Sequence, residues 1–266
     1  MRTADHTHRF THAIVRTPPL SVVDGLRAVD HGAPDVARMR EHHARYVDVL
    51  RSLGLTVEVL EPQESFPDSL FVEDAALCLP EGAVVLRPGA ATRMAEADLI
   101  EPVLRRHYAD VRLIGGPGTV DGGDVLVTGS EIVVGRSSRT DAQGVAELTT
   151  IVAGWGHRVR EVVTPPGVLH LKTHCSLLDA ETILATRVLA GSGCFDGYRV
   201  IEVDGAEEPA ANCIRVNDAV LMPEGFPRTA ATVRDAGFAV ITVPNDECAR
   251  IDGGLSCLSL RFTPPR

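Results

Sequence analysis

A unit of strand, strand, helix and strand recurs along the chain, and that recurrence restricts the fold more than any single motif. One copy has a hairpin at 71–79 and 83–86, a helical stretch at 92–108 and a strand at 111–114. A second has strands at 121–127 and 131–134, a helix at 141–153 and a strand at 158–163. The third has strands at 170–178, 182–186 and 198–203, with its helix reduced to 187–189. The fourth has strands at 211–216, 219–222 and 238–243, with a helix at 229–236. A fifth opens at Gly254 and stops after one strand. Its missing parts stand at the other end of the chain: a strand at 11–16, a helix at 34–52 and a strand at 55–60. Pro34 is placed to start that helix, Gly54 to stop it, and Val36, Met39, Tyr46, Val47 and Leu50 fall at helical spacing.

Copies begin roughly every 40–50 residues, a period that signals propellers or solenoids. An incomplete last copy, completed by the first residues, reads as a closed ring in which the last strand pairs with the first. Closure removes sheet edges that would otherwise invite aggregation. No linker or shift in composition interrupts residues 1–266, so one domain is expected.

Each copy opens on polar residues: Glu73 and Asp74, then Asp121 and Asp124, then His170, Asn212 and Cys257. A ring would carry these starts to one central place. A thiol beside an imidazole can be held as the nucleophilic thiolate, and the imidazole can pass a proton to a leaving group. A carboxylate can orient the imidazole. Cys257 is therefore the candidate nucleophile, His170 the acid/base and Asp121 the orienting acid. The further carboxylates Asp68, Glu73 and Asp74 suit a delocalised cation that they can grip in its plane, such as a guanidinium.

Plainer readings stand beside these. A cysteine within a strand is commonly a small buried hydrophobe. Asp121-Gly-Gly-Asp124 could be a turn, and His170 a structural histidine. Arg93 and Arg139 sit where second strands give way to helices, where solvated surface is the default. His6, His8, His12, His31, His42 and His43 read as surface or terminal residues. Glu73 and Asp74 interrupt an apolar strand, which is unfavourable without partners.

Composition narrows the partners. A net charge of −10 argues against a phosphate-binding surface, so no nucleic acid is expected. No apolar run reaches the length of a membrane span, and the first residues lack the apolar core of a signal peptide, so a cytoplasmic protein without a membrane partner is expected. The 6 cysteines are scattered with no C-x-x-C pair, which suits reduced thiols rather than a disulfide framework or structural zinc. No H-E-x-x-H motif or metal-ligand triad is evident.

Several stretches together carry a family likeness: Phe66-Pro-Asp-Ser-Leu-Phe-Val-Glu-Asp74, Arg87-Pro-Gly-Ala-Ala-Thr-Arg93, Asp121-Gly-Gly-Asp-Val-Leu-Val-Thr-Gly129, Ser138-Arg-Thr140, Leu169-His-Leu-Lys172, Ala211-Asn-Cys-Ile214 and Asp252-Gly-Gly-Leu-Ser-Cys257. In these, across nearly its whole length, the chain resembles the dimethylarginine dimethylaminohydrolase family of the guanidino-modifying (pentein) superfamily. The resemblance implies an α/β fold, a five-bladed α/β propeller of ββαβ repeats, in agreement with the repeat count. It implies hydrolysis of dimethylarginine and monomethylarginine to citrulline and the methylamine, with no metal or organic cofactor. Cys257 would attack the guanidinium carbon and form a covalent thiouronium. His170 would protonate the departing amine and then activate water. Asp121 occupies a position where the family has Asp or Glu. Asp68, Glu73 and Asp74 match substrate-gripping acids, and Arg93 and Arg139 match the residues that hold the α-carboxylate. Leu26 and Ile251 match positions at the substrate's amino end that act through backbone groups. Gly254, Leu258 and His174 depart from the family pattern.

Arginine and agmatine deiminases carry an acid two residues after the histidine, whereas this chain has Lys172. The alternatives are such a deiminase, an amidinotransferase in which an amine replaces water, and a non-enzymatic ring resembling the pentein-fold ribosome-binding factor. Both a monomer and a homodimer are compatible with the sequence.

Overall fold

The structure is a computed structural model that describes residues 7–265. Among these residues the strands form five sheets of three. The first and last strands of the chain, β1 (His12–Arg16) and β15 (Leu260–Phe262), share a sheet with β2 (Thr56–Leu60). The next sheets follow in order: β3 (Ala76–Cys78), β4 (Ala83–Val85) and β5 (Val111–Leu113); β6 (Val125–Val127), β7 (Ile132–Arg136) and β8 (Val159–Val163). Then come β9 (Cys175–Leu177), β10 (Thr182–Ala185) and β11 (Arg199–Glu202), and β12 (Ile214–Val216), β13 (Ala219–Pro223) and β14 (Ala239–Val243). In every sheet the middle strand runs antiparallel to one neighbour and parallel to the other. The parallel partner arrives after a helical crossover, as parallel pairing requires. The crossovers are α1 (Val36–Ser52), α2 (Glu96–Leu104), α3 (Ala142–Ala153), the single turn α4 (Arg187–Ala190) and α5 (Pro227–Asp235).

The burial explains the residue choice. Middle strands are covered on both faces, so they read as unbroken apolar runs such as Ile132-Val-Val134 and Val220-Leu-Met222. The core lies in seams between adjacent sheets: Leu77, Leu79, Val84 and Leu86 pack with Val125, Ile132 and Val134 of the next. Closure appears where the recurring pattern places it. His12 faces Phe262, Ala13 faces Arg261 and Ile14 faces Leu260 in an antiparallel register.

The expected first strands begin later than their sequences suggest. Each is preceded by a short 3-10 turn: Val72–Ala75, Gly122–Asp124, Leu171–Thr173, Glu208–Ala211 and Ser256–Leu258. In a strand, Glu73 and Asp74 would point to opposite faces. The tighter turn releases them from that alternation. The turns touch in succession: 72–75 packs against 256–258 and 122–124, then 122–124 against 171–173, then 171–173 against 208–211. Asn212 Oδ1 accepts from the Ser256 amide at 2.9 Å and joins the remaining pair. Approach is so close that a Cβ on Gly122 would stand 1.9 Å from the Glu73 carbonyl, and one on Gly254 2.1 Å from the Asn212 side chain.

Two other expectations change. The second helix is shorter than 92–108, because residues 91–93 form a separate turn that sends Arg93 into the interior. His42 and His43 lie on the buried face of α1 rather than at the surface, and His8, ahead of β1, is buried too. Burial lowers the His43 imidazole to about 4, so it packs there as a neutral ring. His6 lies outside the described residues.

Removing residues 260–266 should leave β1 paired with β2 alone and take away two buried anchors, Leu260 and Phe262. Each is worth about 1.5–3 kcal/mol by its burial, against a typical total of about 5–15 kcal/mol. Thermal unfolding followed by circular dichroism should lose its cooperative transition or shift far down. A transition like that of the full chain would mean that closure does not hold the ring.

Candidate active site

Beside the 72–75 and 256–258 turns lies a cavity of about 160 Å³. Cys257 and His170 both line it, with Asp68 and Asp74. Arg93, Arg139, Leu26 and Ile251 complete the sequence-nominated wall. Asp121 and Glu73 do not reach that surface. Asp121 stands behind the imidazole, wholly buried, with Oδ2 at 2.9 Å from His170 Nε2 and Oδ1 accepting from the Gly89 amide at 2.7 Å. Glu73 lies deeper. Its carboxylate accepts from Lys172 Nζ at 2.6 Å, Ser256 Oγ at 2.8 Å and Arg261 at 3.2 Å. With Lys172 and Arg261 it lines a separate cavity of about 130 Å³.

Arg93 is a buried cation with its donors committed. Nη1 donates to Asp74 at 2.5 Å, Nε and Nη2 grip Glu96 at 3.0 and 2.7 Å, and Nη2 also donates to the Phe71 carbonyl at 2.9 Å. Arg139 contrasts with it. Its half-buried guanidinium lines the cavity and makes no side-chain hydrogen bond among the described residues, with Asp68 as its electrostatic neighbour. Asp68 Oδ1 accepts from the Leu26 amide at 2.9 Å, and burial raises its carboxyl despite Arg93. Asp124 braces the other side of the histidine turn. It accepts from the Leu171 amide at 2.8 Å and from Ser137 and Thr140 hydroxyls at 2.6 and 2.7 Å.

The electrostatics oppose each other across the cavity. Burial alone would lower His170, but Asp74, the hydrogen bond to Asp121, and Asp124 outweigh it and lift the imidazole to about 9. Burial raises the Asp74 carboxyl, yet His170 and Arg93 overcome this and hold it below the usual range. Burial and the charges of Glu73 and Asp74 push the Cys257 thiol up to about 12. The empty site at neutral pH is thus an imidazolium facing a neutral thiol. Because the folded His170 value exceeds the unfolded one, its protonation stabilises the fold fully below about 6.5 and contributes nothing above about 9.

Candidate ligand atoms of Asp74, Asp121 and His170 lie within 4.8 Å of one another, close enough to be weighed as a metal centre. All four carboxylate oxygens already have donors: the Gly123 amide and Arg93 on Asp74, the Gly89 amide and His170 on Asp121. The set holds a proton and a guanidinium.

Comparison with known proteins places the chain in a family. The arginine deiminase family model matches residues 63–224. The N(G),N(G)-dimethylarginine dimethylaminohydrolase of Pseudomonas aeruginosa is 41% identical over 95% of this chain and 100% of its own. The chain belongs to the dimethylarginine dimethylaminohydrolase family. The Streptomyces coelicolor member is 33% identical over 94% of this chain and 96% of its own. A solved structure of the P. aeruginosa enzyme, a cysteine-to-serine mutant complexed with citrulline, superposes with a TM-score of 0.93 at 40% identity, covering 96% of this chain and 100% of that one. The five-sheet α/β ring described above is the fold it shares.

Sequence reasoning missed Glu96, although its spacing of three from Arg93 on a helical stretch is a pairing signal. It also missed Phe71, Leu169 and Asp252 in the cavity wall, which carry no chemical signature until the ring is closed.

Asp121→Asn should lower the pH at which His170 titrates from about 9 toward the ordinary 6.5, as read from the imidazole resonances by NMR. An unchanged titration would remove Asp121 as the group that holds the proton there.

Proposed function

We propose that the chain, acting as one catalytic domain over residues 1–266, hydrolyses Nω,Nω-dimethylarginine and monomethylarginine to citrulline and dimethylamine or methylamine. One observation carries the reading: a thiol, an imidazole held protonated, two carboxylates and an unengaged guanidinium line a single cavity.

The substrate guanidinium is a planar cation, and Asp74 and Asp68 offer it opposite charge. Its arrival also changes the nucleophile. The thiol is high because burial and anions disfavour its charge, so a bound cation beside it lowers it. The thiol releases its proton to water, and the Cys257 thiolate adds to the guanidinium carbon. His170 gives its proton to the substituted nitrogen, the carbon–nitrogen bond breaks, and the neutral amine leaves a thiouronium on Cys257. His170, now neutral, takes a proton from water as the oxygen adds to the same carbon. The carbon–sulfur bond breaks, the new hydroxyl's proton passes to the departing sulfur, and citrulline is released with Cys257 again a neutral thiol and His170 an imidazolium. Asp121 keeps the imidazole in place throughout. Arg139 receives the α-carboxylate, since its donors are available and those of Arg93 are committed to Asp74 and Glu96. Backbone groups at Leu26 and Ile251 meet the amino end. Glu73 supports the floor through Lys172 rather than by facing the substrate. No cofactor enters these steps.

A deiminase is the second reading, favoured by the breadth of the arginine deiminase model. Lys172 speaks against it. Where deiminases place an acid, this chain directs an ammonium to Glu73 at 2.6 Å, which leaves fewer acceptors for an unmethylated guanidinium. The substrate is a small guanidino compound, and every group of the site comes from one chain, so a monomer or either half of a homodimer would work. The 6 free cysteines suit a cytoplasmic setting.

Dimethylarginine, monomethylarginine, arginine and agmatine should be compared by the amine released. Dimethylamine as the favoured product supports the assignment, whereas ammonia from arginine as the sole activity makes the chain a deiminase. Cys257→Ser and His170→Gln should abolish turnover, and near-normal rates in either would refute the assigned roles. Arg139→Ala should raise KM by about tenfold or more, the weight of one charge-assisted pair, with a smaller change in kcat. An unchanged KM would take Arg139 out of substrate binding. Below about 9 both His170 and Cys257 keep their protons, and the reactive pair has lost one. kcat/KM should therefore climb with pH toward a limb near 9, and a flat profile between neutrality and that limb would contradict the assigned protonation.

A further inference from the structure

The loop between β1 and α1 contributes Leu26, Arg27 and Ala28 to the cavity wall. It has little apolar anchorage, since Leu20 is 61% and Val29 57% exposed and Val22 alone is buried in the 20–24 turn. Its inner part is tied to the 64–68 segment: Glu64 accepts from the Leu20 and Ser21 amides at 3.0 Å, and Asp68 from the Leu26 amide at 2.9 Å. Its outer part, from Ala28 onward, is held by bonds to one segment from the far end of the chain. Asp252 Oδ2 accepts from the Ala28 amide at 2.6 Å. Arg250 Nη1 donates to the His31 carbonyl at 2.7 Å, and Glu247 Oε2 accepts from the Asp35 amide at 2.9 Å. Inside the loop, Arg27 donates to the Val23 carbonyl at 2.5 Å and the Gly32 carbonyl at 3.3 Å, which folds it on itself.

Asp252 sits in the left-handed region at φ 58, where a non-glycine residue is uncommon. Its side chain does not shape the turn. Ile251 and Gly253 amides both donate to the Cys248 carbonyl at 3.0 and 2.9 Å, and Asn245 Nδ2 donates to the Gly253 carbonyl at 2.9 Å. A glycine would serve that backbone. The carboxylate's bond goes to the loop instead, and the same segment continues to Cys257.

We propose that residues 247–252 form a clasp that holds the 20–32 loop against the cavity. Asp252 is its positioning residue on the cavity side, and Arg250, which does not line the cavity, is its outer arm. Opening the clasp lets substrate escape more readily, so the clasp sets KM more than kcat. Only this kinetic consequence rests on the function proposed above; the clasp itself is tested without substrate.

The test compares D252G, which keeps the backbone freedom and loses the acceptor, with D252N, which keeps both, and with R250A. Tryptic cleavage at the Arg27–Ala28 bond, followed by mass spectrometry on the folded chain, reads loop release directly. Cleavage should accelerate by about three- to tenfold in D252G and in R250A, the weight of one ordinary solvent-exposed hydrogen bond, and further in the double variant. D252N should cleave at the wild-type rate within about twofold. Equal cleavage rates in all variants would overturn the clasp, whatever the enzyme's substrate. With dimethylarginine, KM should rise in R250A as well as in D252G, with kcat changing less. A rise confined to D252G would mean direct contact of Asp252 with substrate and would overturn the loop's role in affinity. If no dimethylarginine turnover is found, the cleavage arm still decides the clasp.

Discussion

Everything in this molecule depends on the antiparallel pairing of β1 with β15. Without it the chain would be a row of strand–helix units with an open edge on β1 at one end and β15 unpaired at the other, a template for aggregation. With it, the first and last residues share one sheet and the seams between sheets become continuous. The pairing also has a chemical consequence. It brings Ser256 and Cys257, near the end of the chain, against the 72–75 turn near its start. The thiol and the carboxylates that control it are neighbours only because the ring closes.

The second constraint is electrostatic. Arg93, Asp74, Glu96, Asp121 and His170 are all buried. Burying so many charges is unfavourable unless each is paired and hydrogen-bonded. Here each carboxylate has donors, and the imidazole carries the proton that balances them. In the proposed reaction such a network holds the imidazolium ready to release a proton to a leaving amine. It also keeps the thiol neutral until a cation enters, which protects a solvent-reachable cysteine from other electrophiles. The same physics therefore sets the nucleophile's inertness in the free protein and its activation by substrate.

Much of this was legible in the residues. The recurring unit gave five sheets and the closure, because unbroken apolar middle strands and polar starts repeat at a regular interval. Cys257, His170 and Asp74 stood out because each opens a copy and closure carries those starts to one place. The local form of those starts was not legible. The 3-10 turns at 72–75 and 256–258 arise where the turns crowd each other, and residues far apart in sequence set that crowding. For the same reason the sequence could not separate Asp74, which faces the cavity, from the adjacent Glu73, which pairs with Lys172 below it. His42 and His43 misled because a neutral imidazole fits a core seam that composition alone does not reveal.

The central claim is that the sulfur of Cys257 bonds to the guanidinium carbon. Acid quenching during turnover of dimethylarginine, followed by mass spectrometry of the Cys257 peptide, tests it most directly. In the wild-type protein, whose His170 is needed to form the adduct, the account predicts a peptide heavier by the substrate less dimethylamine, located at Cys257 and absent when substrate is omitted. Citrulline accumulating while Cys257 stays unmodified at every time point would contradict it.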